Sequence, residues 1–530
     1  MSRTSRLLIL AFAFSALLVP AAQASPTQTS IMMDDDLLLY RNDDTAARAL
    51  TAMKKIGVDT VRVTVLWKVV AENARPSKAE IAKLQGRAKE NARKQAARFK
   101  ATTPSTYPRR NWDRYDNLVR SAGRVGIKIY FNLTGPGPAW AHVKPPNAQR
   151  SLRATWKPRP TAFKQFAQAV GKRFDGTYRD ENSDRAVLPR VSFWSLWNEP
   201  NQAGWLSPQW ENGVAASPGI YRKLHQYGYR GLLASGHHTG KDIILMGETA
   251  PLGSDAKTAK APMRPGLFLR ELATGAGAAA DFAARGPLLS NGYAHHPYTK
   301  NVPPTQVDAN PDSLTMANIN NLGTLLDGLS AQTSGAIPNG LALFMTEFGF
   351  ETNPPDPFSG VPLDSQALFN TVGEYQAYKN PRIASQAQFL YRDVDPVRRH
   401  PKTSKAFWFT YQSGLFFRNG TPKPAFNAYQ IPFLAFNSGT VDPTTGAPVY
   451  SVWGQLRVLP NNAAAAATVQ WRAKDGSTPW TSVGEPVPVN PMGYFEVPAA
   501  TAPLPVVGEW RAAIVDPSNG AVLAYSNSSS

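Results

Sequence analysis

The chain has 530 residues and a formal net charge of +19, and it contains no cysteine. The missing cysteine excludes disulfides, thiol chemistry and thiolate metal sites. The length exceeds what one hydrophobic core usually supports, so a large and a smaller domain are expected. The charge favours acidic polymers such as an anionic polysaccharide, cell-wall material or nucleic acid, and it is equally compatible with a solvated basic surface that has no specific partner.

Residues 1–24 are predicted to be a secretory signal peptide. Arg3 and Arg6 precede a short apolar run, and Ala22-Gln23-Ala24 supplies a small-residue cleavage site. No later stretch approaches the roughly 20 apolar residues that a membrane-spanning helix needs. The mature protein is therefore expected to be secreted, extracellular or cell-wall associated, with no membrane span.

Apolar strand-like runs alternate with helical stretches about eight times from Ile31 to Phe436. This alternation predicts a (β/α)₈ TIM barrel over residues 31–436. The predicted strands are LLLY near Leu37, VDTVRVTVLW to Trp67, IKIYFNL to Leu133, VSFWSLW before Asn198, IILMGE near Met246, LLSNGYAHH before Pro297, LALFMTE to Glu347 and AFWFTYQ around Trp408.

A basic insertion, SKAEIAKLQGRAKENARKQAARFK, lies between the second and third predicted strands. Its Ala, Lys, Arg and Glu content predicts a long exposed helix. Because it follows the carboxyl end of a strand, it is expected on the face where TIM barrels carry their sites, either attracting an acidic substrate or only shaping the rim. It has no interleaved aromatic residues, which argues against a specific nucleic-acid partner.

After Phe436 the sequence changes to short alternating runs separated by Gly, Pro, Asn and Asp. This pattern predicts a small all-β, immunoglobulin-like sandwich over residues 438–530. A sugar-binding platform and an ordinary core are both open interpretations of its tryptophans, and in so small a sandwich the core is favoured. The tryptophans concerned are Trp453, Trp471, Trp480 and Trp510.

Two glutamates stand at the ends of apolar runs. FWSLWNEPN presents Glu199, and ALFMTEFGF presents Glu347 in the same way. A charged residue is costly at the end of a strand buried on both faces unless a site uses it. The pair therefore predicts a site with two carboxylates at the carboxyl ends of two parallel strands.

These two runs, with HPY after the sixth predicted strand, resemble glycoside hydrolase clan A and, most closely, family 39. The resemblance covers residues 31–436 and not the C-terminal part. It implies a retaining glycoside hydrolase in which Glu199 is the acid/base and Glu347 the nucleophile. The implied partner is a carbohydrate, with an acidic or cell-envelope glycan favoured by the basic rim, and no cofactor is expected.

Four polar residues are expected around the carboxylates. Arg62 interrupts an apolar strand, where an unpaired guanidinium would be costly, and it matches the arginine of the clan's second strand. The resemblance implies that Asn198 binds the sugar 2-hydroxyl, that Tyr298 donates to the nucleophile and that His296 lines the sugar pocket. For each residue the alternative is a buried polar group satisfied by neighbouring backbone.

Two tryptophans are candidates for stacking on a sugar ring. Trp140 follows the third predicted strand, and Trp408 lies on the predicted eighth strand. Glu248, at the end of the fifth, is interpreted as a substrate or hydrogen-bond partner. No metal site is expected, because the neighbouring histidines of the pairs 237–238 and 295–296 would point to opposite faces of a strand.

The preferred hypothesis is a secreted retaining glycoside hydrolase that acts on a polysaccharide or oligosaccharide. Two alternatives stay open. One is a transglycosylase that uses the same residues, with a sugar hydroxyl in place of water. The other is a non-catalytic polysaccharide-binding surface protein that retains the carboxylates without using them.

Overall fold

The structure is a computed structural model that describes residues 27–458 and 465–530. The predicted signal peptide at residues 1–24 lies outside the described residues. In the part of the chain that is described, no helix combines the length and the apolar character needed to cross a membrane.

Eight parallel strands close into a barrel, which confirms the predicted TIM barrel. The barrel follows chain order and closes when the last strand pairs with the first, Thr29 opposite Ser385. A short hairpin, β5 and β6, lies in the loop after the fourth barrel strand. In chain order the strands are β1 (Thr29–Met33), β2 (Thr60–Leu66), β3 (Lys128–Thr134), β4 (Phe193–Leu196), β5 (Trp210–Glu211), β6 (Val214–Ala215), β7 (Ile243–Thr249), β8 (Gly292–His295), β9 (Ala342–Met345) and β10 (Ile383–Phe389).

Helices return the chain between barrel strands. They begin with local signals such as Asn42, whose side chain accepts from the Thr45 amide, and Asp43 in the first turn of α2. The helices are α1 (Asp35–Leu39), α2 (Asp43–Lys55), α3 (Trp67–Val70), α4 (Lys78–Ala82), α5 (Gly86–Arg98), α6 (Asp113–Val125), α7 (Pro160–Arg173), α8 (Ser217–Leu233), α9 (Pro265–Thr274), α10 (Ala278–Arg285), α11 (Asn320–Gln332), α12 (Leu363–Tyr378) and α13 (Pro424–Gln430).

The alternation of β2 explains how a buried arginine reaches the barrel interior. Val61, Val63 and Val65 belong to the main core that the helices share, so Arg62 points the other way. Below it, side chains from seven barrel strands form a separate interior cluster, in which the rings of Tyr130 and Phe193 stack at 4.0 Å. Because these packed side chains fill the interior below Arg62, the polar inward-facing residues lie above them, at the carboxyl ends of the strands.

Two of the eight strand predictions are wrong. LLLY near Leu37 belongs to α1, because Asp34 caps a helix by accepting from the Leu37 amide at 3.0 Å. The first strand is the preceding TSIMM. The last barrel strand is IASQAQF, whose Ser and Gln residues hide it from a search for apolar runs. Trp408 therefore lies in the loop that follows β10 and not on a strand.

The basic insertion is helical and exposed as predicted, but it forms two helices. Ser77 and Glu80 make a capping box at the start of α4, and α5 begins after a break at residues 83–85. In α5 only Ala92 is buried. The prediction of one long helix is therefore wrong, whereas its exposure and its place after β2 are as expected.

The C-terminal strands form two antiparallel sheets, one of β11, β12 and β16 and the other built around β13 and β17. One cluster of buried side chains draws on both sheets, so they pack as a sandwich. The immunoglobulin-like topology and the boundary at residues 436–438 stay predictions. The strands are β11 (Phe433–Val441), β12 (Pro448–Gln455), β13 (Ala466–Ala473), β14 (Thr481–Ser482), β15 (Val487–Pro488), β16 (Tyr494–Thr501), β17 (Gly508–Val515) and β18 (Val522–Tyr525).

Three of the four C-terminal tryptophans are buried, in line with the core interpretation. Trp453, Trp471 and Trp510 each expose 2% or less. Trp480 remains partly exposed, with the guanidinium groups of Arg472 and Arg511 over its ring. The sandwich also contacts the barrel, because the buried Trp453 packs against α12 in a cluster of aromatic side chains.

Candidate active site

The structure brings Glu199 and Glu347 together at the carboxyl ends of their strands. Glu199 follows β4, and Glu347 follows β9. One carboxylate oxygen of each lies within 4.8 Å of the other, and both lie within the same distance of a ring nitrogen of His296. Residues from three separate strand ends therefore converge on one point at the mouth of the barrel.

Glu347 is held by two donors and is only 8% exposed. Arg62 donates from Nη1 to Oε1 at 2.8 Å, and the hydroxyl of Tyr298 donates to Oε2 at 3.0 Å. One donor on each oxygen fixes the position of the carboxyl group and leaves it next to Glu199.

Arg62 is fully buried and connects three strand ends. Its Nη2 donates to Asn198 Oδ1 at 2.7 Å and to Glu248 Oε2 at 3.0 Å. Burial would lower the pKa of its guanidinium, but the negative charges of Glu248 and Glu347 outweigh burial and hold the pKa above its ordinary range. Arg62 is therefore a permanent cation under the two carboxylates.

Glu248 is a buried carboxylate whose two oxygens accept hydrogen bonds from several neighbouring side chains. Burial would raise the pKa of its carboxyl, yet the charge of Arg62 and the bond from His296 hold that pKa well below its usual range. A carboxylate with this many donors is a structural acceptor and not a proton donor, as the hydrogen-bond interpretation expected. Its donors are Arg62, Tyr130, Ser195, His296 and Thr346.

His296 is bound to carboxylates on both ring nitrogens. Nδ1 lies 3.0 Å from Glu199 Oε1, and Nε2 lies 2.7 Å from Glu248 Oε2. Burial would lower the pKa of the imidazole, but the charge of Glu347 and the hydrogen bonds to Glu199 and Glu248 raise it to about 10. The ring is therefore an imidazolium at neutral pH, which donates to Glu199 and fixes its direction.

Cations and carboxyl groups alternate in this cluster. Arg62 contacts Glu248 and Glu347, and His296 contacts Glu199 and Glu248. Such pairing suits a partly buried site, because an uncompensated charge there is costly.

The donor set is poorly suited to a metal ion. Glu199, His296 and Glu347 offer ligand atoms at compatible distances. Both nitrogens of His296 are already used as donors, however, and a metal requires a neutral imidazole lone pair. The guanidinium of Arg62 also lies 2.8 Å from Glu347, where it supplies the positive charge itself.

Backbone strain is concentrated at the same strand ends. Trp197, Glu199 and Glu248 have φ values of 77°, 36° and 53°. Non-glycine residues rarely adopt positive φ, and such outliers cluster at functional sites, where the surrounding structure holds them. The carboxyls of Glu199 and Glu248 are thus aimed by a conformation that costs free energy.

The two predicted stacking tryptophans do not present a free ring face at these carboxylates. Trp140 packs edge-on against Trp67 at 6.1 Å and Phe99 at 5.7 Å, with Arg75 over its ring. Trp408 is 9% exposed, and its Nε1 donates to the Lys402 carbonyl at 3.0 Å. Both lie in loops that follow barrel strands, and their role in sugar binding stays a prediction.

Sequence reasoning missed Tyr411, which lies in the same aromatic run as Trp408. Its side chain is 56% exposed, and its ring meets Phe389 edge-on at 4.9 Å. Phe389 in turn meets Tyr298 at 6.1 Å. Tyr411 is thus connected through the Phe389 ring to Tyr298, whose hydroxyl donates to Glu347. The run AFWFTYQ was its signal in the sequence.

Asp35 is a second residue that sequence reasoning missed. It follows β1 and accepts from the Thr64 amide at 3.2 Å. Burial raises the pKa of its carboxyl to about 6, although the charge of Arg62 opposes the rise. The acidic triplet at residues 34–36 was its signal in the sequence.

No family model matches this chain, and no curated protein matches it. Among solved structures, GH5_18 from Streptomyces cattleya in complex with GlcNAc has a TM-score of 0.43 at 15% identity, covering 76% of this chain and 78% of that one. A GH30 endoxylanase from Clostridium papyrosolvens C71 has a TM-score of 0.42 at 11% identity, covering 91% and 98%.

An FMN-binding beta-glucuronidase from Facaelibacterium prausnitzii L2-6 has a TM-score of 0.40 at 11% identity. The match covers 96% of this chain and 56% of that one, so this chain spans little more than half the length of the glucuronidase. Likenesses at such scores do not establish an activity.

Proposed function

We propose that this protein is a retaining glycoside hydrolase of clan A, with Glu199 as acid/base and Glu347 as nucleophile. The observation that carries the proposal is the approach of the two carboxylates to within 4.8 Å. Retaining enzymes hold their carboxyl groups about 5–5.5 Å apart, whereas inverting enzymes leave about 6.5–9.5 Å for a water molecule. The motif resemblance to family 39 supports the same assignment.

In the first step Glu199 donates its proton to the leaving oxygen while Glu347 attacks the anomeric carbon. The bond between that carbon and the leaving oxygen breaks, and a glycosyl ester to Glu347 forms. Arg62 and Tyr298 hold the attacking carboxylate in place. Asn198 accepts from Arg62 through its Oδ1, so the Nδ2 of Asn198 is the group that can donate to the sugar 2-hydroxyl.

In the second step Glu199, now a carboxylate, takes a proton from water, and the resulting hydroxide oxygen attacks the anomeric carbon. The ester bond breaks, and Glu347 leaves as a carboxylate. The imidazolium of His296 lies 3.0 Å from Glu199 and compensates the charge that this residue acquires between the steps. One residue therefore serves as acid and then as base.

The decisive experiment replaces Glu347 with Ala and assays purified protein on a panel of glycans and aryl glycosides. Turnover should fall by at least about a thousandfold, because no covalent intermediate can form. Added azide should restore part of it as an external nucleophile and give a glycosyl azide of inverted configuration. The control is Glu211→Ala, an exposed glutamate paired with Lys157.

Two further results would count against the proposal. Unchanged turnover in Glu347→Ala would remove the nucleophile assignment, and inverted configuration of the wild-type product by NMR would remove the retaining mechanism. Product analysis with an added acceptor sugar separates hydrolysis from transglycosylation. Secretion is a separate proposal that rests on residues 1–24, and the N-terminal sequence of exported protein tests it.

A further inference from the structure

A buried lysine outside the catalytic cluster joins two loops at the mouth of the barrel. Lys423 directly precedes α13, and its side chain is fully buried. Its Nζ donates to the Thr352 hydroxyl at 2.9 Å, to Asp393 Oδ1 at 2.7 Å and to the Gln412 carbonyl at 2.9 Å. An ammonium group has three N–H donors, so each donor of this buried group has an acceptor.

The three acceptors belong to two different loops. Thr352 lies in the loop after β9, whereas Asp393 and Gln412 lie in the loop after β10. The Thr352 amide also donates to the Gln412 carbonyl at 3.2 Å, so the two loops meet directly beside the ammonium group. Lys423 therefore connects the loop that carries the predicted nucleophile to the loop after β10.

The loop after β10 turns back on itself, and we call its residues 394–411 the β10 flap. The amide of Val394 donates to the Tyr411 carbonyl at 3.0 Å, so the first and last residues of the β10 flap lie side by side. The two residues that flank the β10 flap, at positions 393 and 412, are both bound by Lys423. The lysine is thus placed at the base of the β10 flap.

The β10 flap has little buried surface of its own. It contains no helix or strand, and within residues 394–411, all of which the structure describes, Trp408 is the one buried residue. Asp395 pairs with Arg418 at 2.7 Å, but both side chains are about one-third exposed, and water weakens such a pair. Segments with few buried contacts open locally at low cost, so the order of the β10 flap depends on its base.

Two aromatic side chains of the β10 flap are exposed. Phe409 is 83% exposed and Tyr411 is 56% exposed. The ring of Tyr411 meets Phe389 edge-on at 4.9 Å, and Phe389 meets Tyr298 at 6.1 Å. The hydroxyl of Tyr298 donates to Glu347. Tyr411 is therefore the aromatic residue of the β10 flap whose ring is connected to the predicted nucleophile.

We propose that Lys423 is a positioning residue, which holds Tyr411 at the mouth of the active site by joining the base of the β10 flap to the loop after β9. It does not contact substrate and acts through the ring of Tyr411. The inference rests on the proposed glycosidase function and on the predicted contact of Tyr411 with a sugar.

The first test observes the β10 flap without any ligand, in the full chain. The double variant Lys423→Met/Asp393→Asn removes the cation together with the charge that it neutralises, so no uncompensated buried charge remains. Hydrogen exchange of the amides in residues 394–411, measured by mass spectrometry, should become at least about tenfold faster because hydrogen bonds to a charged group are lost. Exchange in the barrel strands should stay unchanged.

The second test measures kinetics on an oligosaccharide that the wild-type protein hydrolyses. KM of the double variant should rise by about tenfold, as expected for Tyr411→Ala, while kcat stays within about twofold. Adding Tyr411→Ala to the double variant should raise KM no further. A residue that acts through Tyr411 has no effect once that ring is removed, so the two changes should not be additive.

Thr352→Val is a milder variant that serves if the double variant fails to fold. It removes one acceptor of Lys423 and leaves the ion pair with Asp393 intact. We expect faster exchange in the β10 flap and a KM raised by about threefold, because a single hydrogen bond is lost. Exchange and KM equal to those of the wild type would overturn the inference.

The matched control removes another buried ion pair, at the contact between the sandwich and α12. Arg457 pairs there with Glu374 at 2.6 Å. Arg457→Met/Glu374→Gln should lose stability and keep both KM and the exchange of the β10 flap. An equal rise of KM in this control would overturn the inference, as would additive effects of the Lys423 and Tyr411 variants on KM.

Failure of the inference and failure of the proposed function give different results. Hydrolysis by the wild type with unchanged KM and unchanged exchange in the Lys423 double variant removes the positioning role and keeps the enzyme. Absence of hydrolysis of any glycan by the wild type removes the proposed function, whereas the exchange comparison still decides whether Lys423 holds the β10 flap.

Discussion

Nη1 of Arg62 lies 2.8 Å from Oε1 of Glu347, although the two residues are 285 positions apart in the chain. The other terminal nitrogen of the same guanidinium reaches Glu248 and Asn198. One side chain on β2 therefore fixes groups at the ends of β4, β7 and β9. This contact fixes Glu347, whereas the other predicted catalytic carboxylate, Glu199, is bound by His296 at 3.0 Å.

Arg62→Lys should fold but lose most activity. An ammonium group keeps the charge, but it cannot reproduce the planar fork that binds Glu347, Glu248 and Asn198 together. We expect kcat to fall by about a hundredfold or more, and stability to fall by about 1–3 kcal/mol for the buried acceptor left unsatisfied. Steady-state kinetics and urea unfolding measure the two effects.

Arg190→Lys is the matched control for this change. Arg190 binds both oxygens of Asp242, at 2.9 and 2.7 Å, just before β7 and thus at the opposite end of the barrel. It should lose some stability and keep kcat. Equal losses of kcat in the two variants would show that the Arg62 network has no special role in the reaction.

Tyr298→Phe should lower turnover without unfolding the protein. The change removes only the hydroxyl that donates to Oε2 of Glu347, so the nucleophile loses one of its two donors. We expect kcat to fall by about tenfold to a hundredfold, because a hydrogen bond to a charged group is worth about 1.5–3 kcal/mol. Tyr293→Phe, which removes a hydroxyl bonded to Thr249 at 2.8 Å, is the control. A loss no larger than in the control would contradict the assigned role.

His296 should make stability depend on pH in the alkaline range. Its pKa is raised to about 10 in the folded protein from an ordinary value of 6.5. A raised pKa of this kind means that the stabilisation is complete below pH 6.5 and is lost as the pH rises towards 10. Urea unfolding of wild type and His296→Gln between these values should show the wild type losing its advantage with increasing pH.

The charge state of His296 can also be observed directly. The chain has seven histidines, so their ring nitrogens should be resolvable in a ¹⁵N NMR spectrum. The His296 signals should remain those of an imidazolium at pH 8, whereas His295, whose pKa burial lowers to about 3, should be neutral. A neutral His296 ring at pH 8 would contradict the imidazolium that binds both carboxyl groups.

The barrel and the central residues of the site could be predicted because each left a signal in the chain. In β2 the buried Val61, Val63 and Val65 alternate with polar residues that face the barrel interior. A buried arginine at position 62 is costly unless acidic groups pair with it, so the sequence predicts carboxylate partners for Arg62. Glu199 and Glu347 close apolar runs for the same reason. In each case a charged residue is costly in its local apolar surroundings, so the pattern can be recognised without knowledge of the tertiary structure.

The rest of the site depended on information that no local pattern contains. β10 carries Ser385, Gln386 and Gln388, and only the closed barrel shows that these residues are buried. LLLY is part of a helix and not a strand because Asp34 caps the start of α1. Which aromatic residues of AFWFTYQ face solvent depends on how the loop after β10 folds, and this loop leaves Phe409 and Tyr411 exposed and Trp408 covered.

Tyr411 and Trp408 should therefore respond differently to substitution. Tyr411→Ala removes an exposed ring beside Phe389 and should raise KM by about tenfold with little loss of stability. Trp408→Phe loses the bond to the Lys402 carbonyl and should lower stability by about 1 kcal/mol, with KM nearly unchanged. Kinetics on an oligosaccharide and thermal unfolding separate the two. The reverse pattern would restore Trp408 as the sugar-stacking residue.

Glu199→Gln should slow the reaction most for substrates whose leaving oxygen must be protonated. Substrates with poor leaving groups need a proton on the departing oxygen and should lose about a hundredfold to ten-thousandfold in kcat/KM, whereas activated aryl glycosides should lose much less in the first step. A glutamine keeps the acceptor oxygen 3.0 Å from His296, so the geometry of the site should be preserved.

With an activated aryl glycoside the second step of Glu199→Gln should become limiting, because no base remains to take the proton from water. A burst of aglycone equal to the enzyme concentration should then appear before slow turnover, and azide should speed that turnover by bypassing the base. The control is Glu211→Ala, which should show no burst. An equal loss for good and poor leaving groups would mean that Glu199 does not transfer the proton, and the pairing with Glu347 would then need a different explanation.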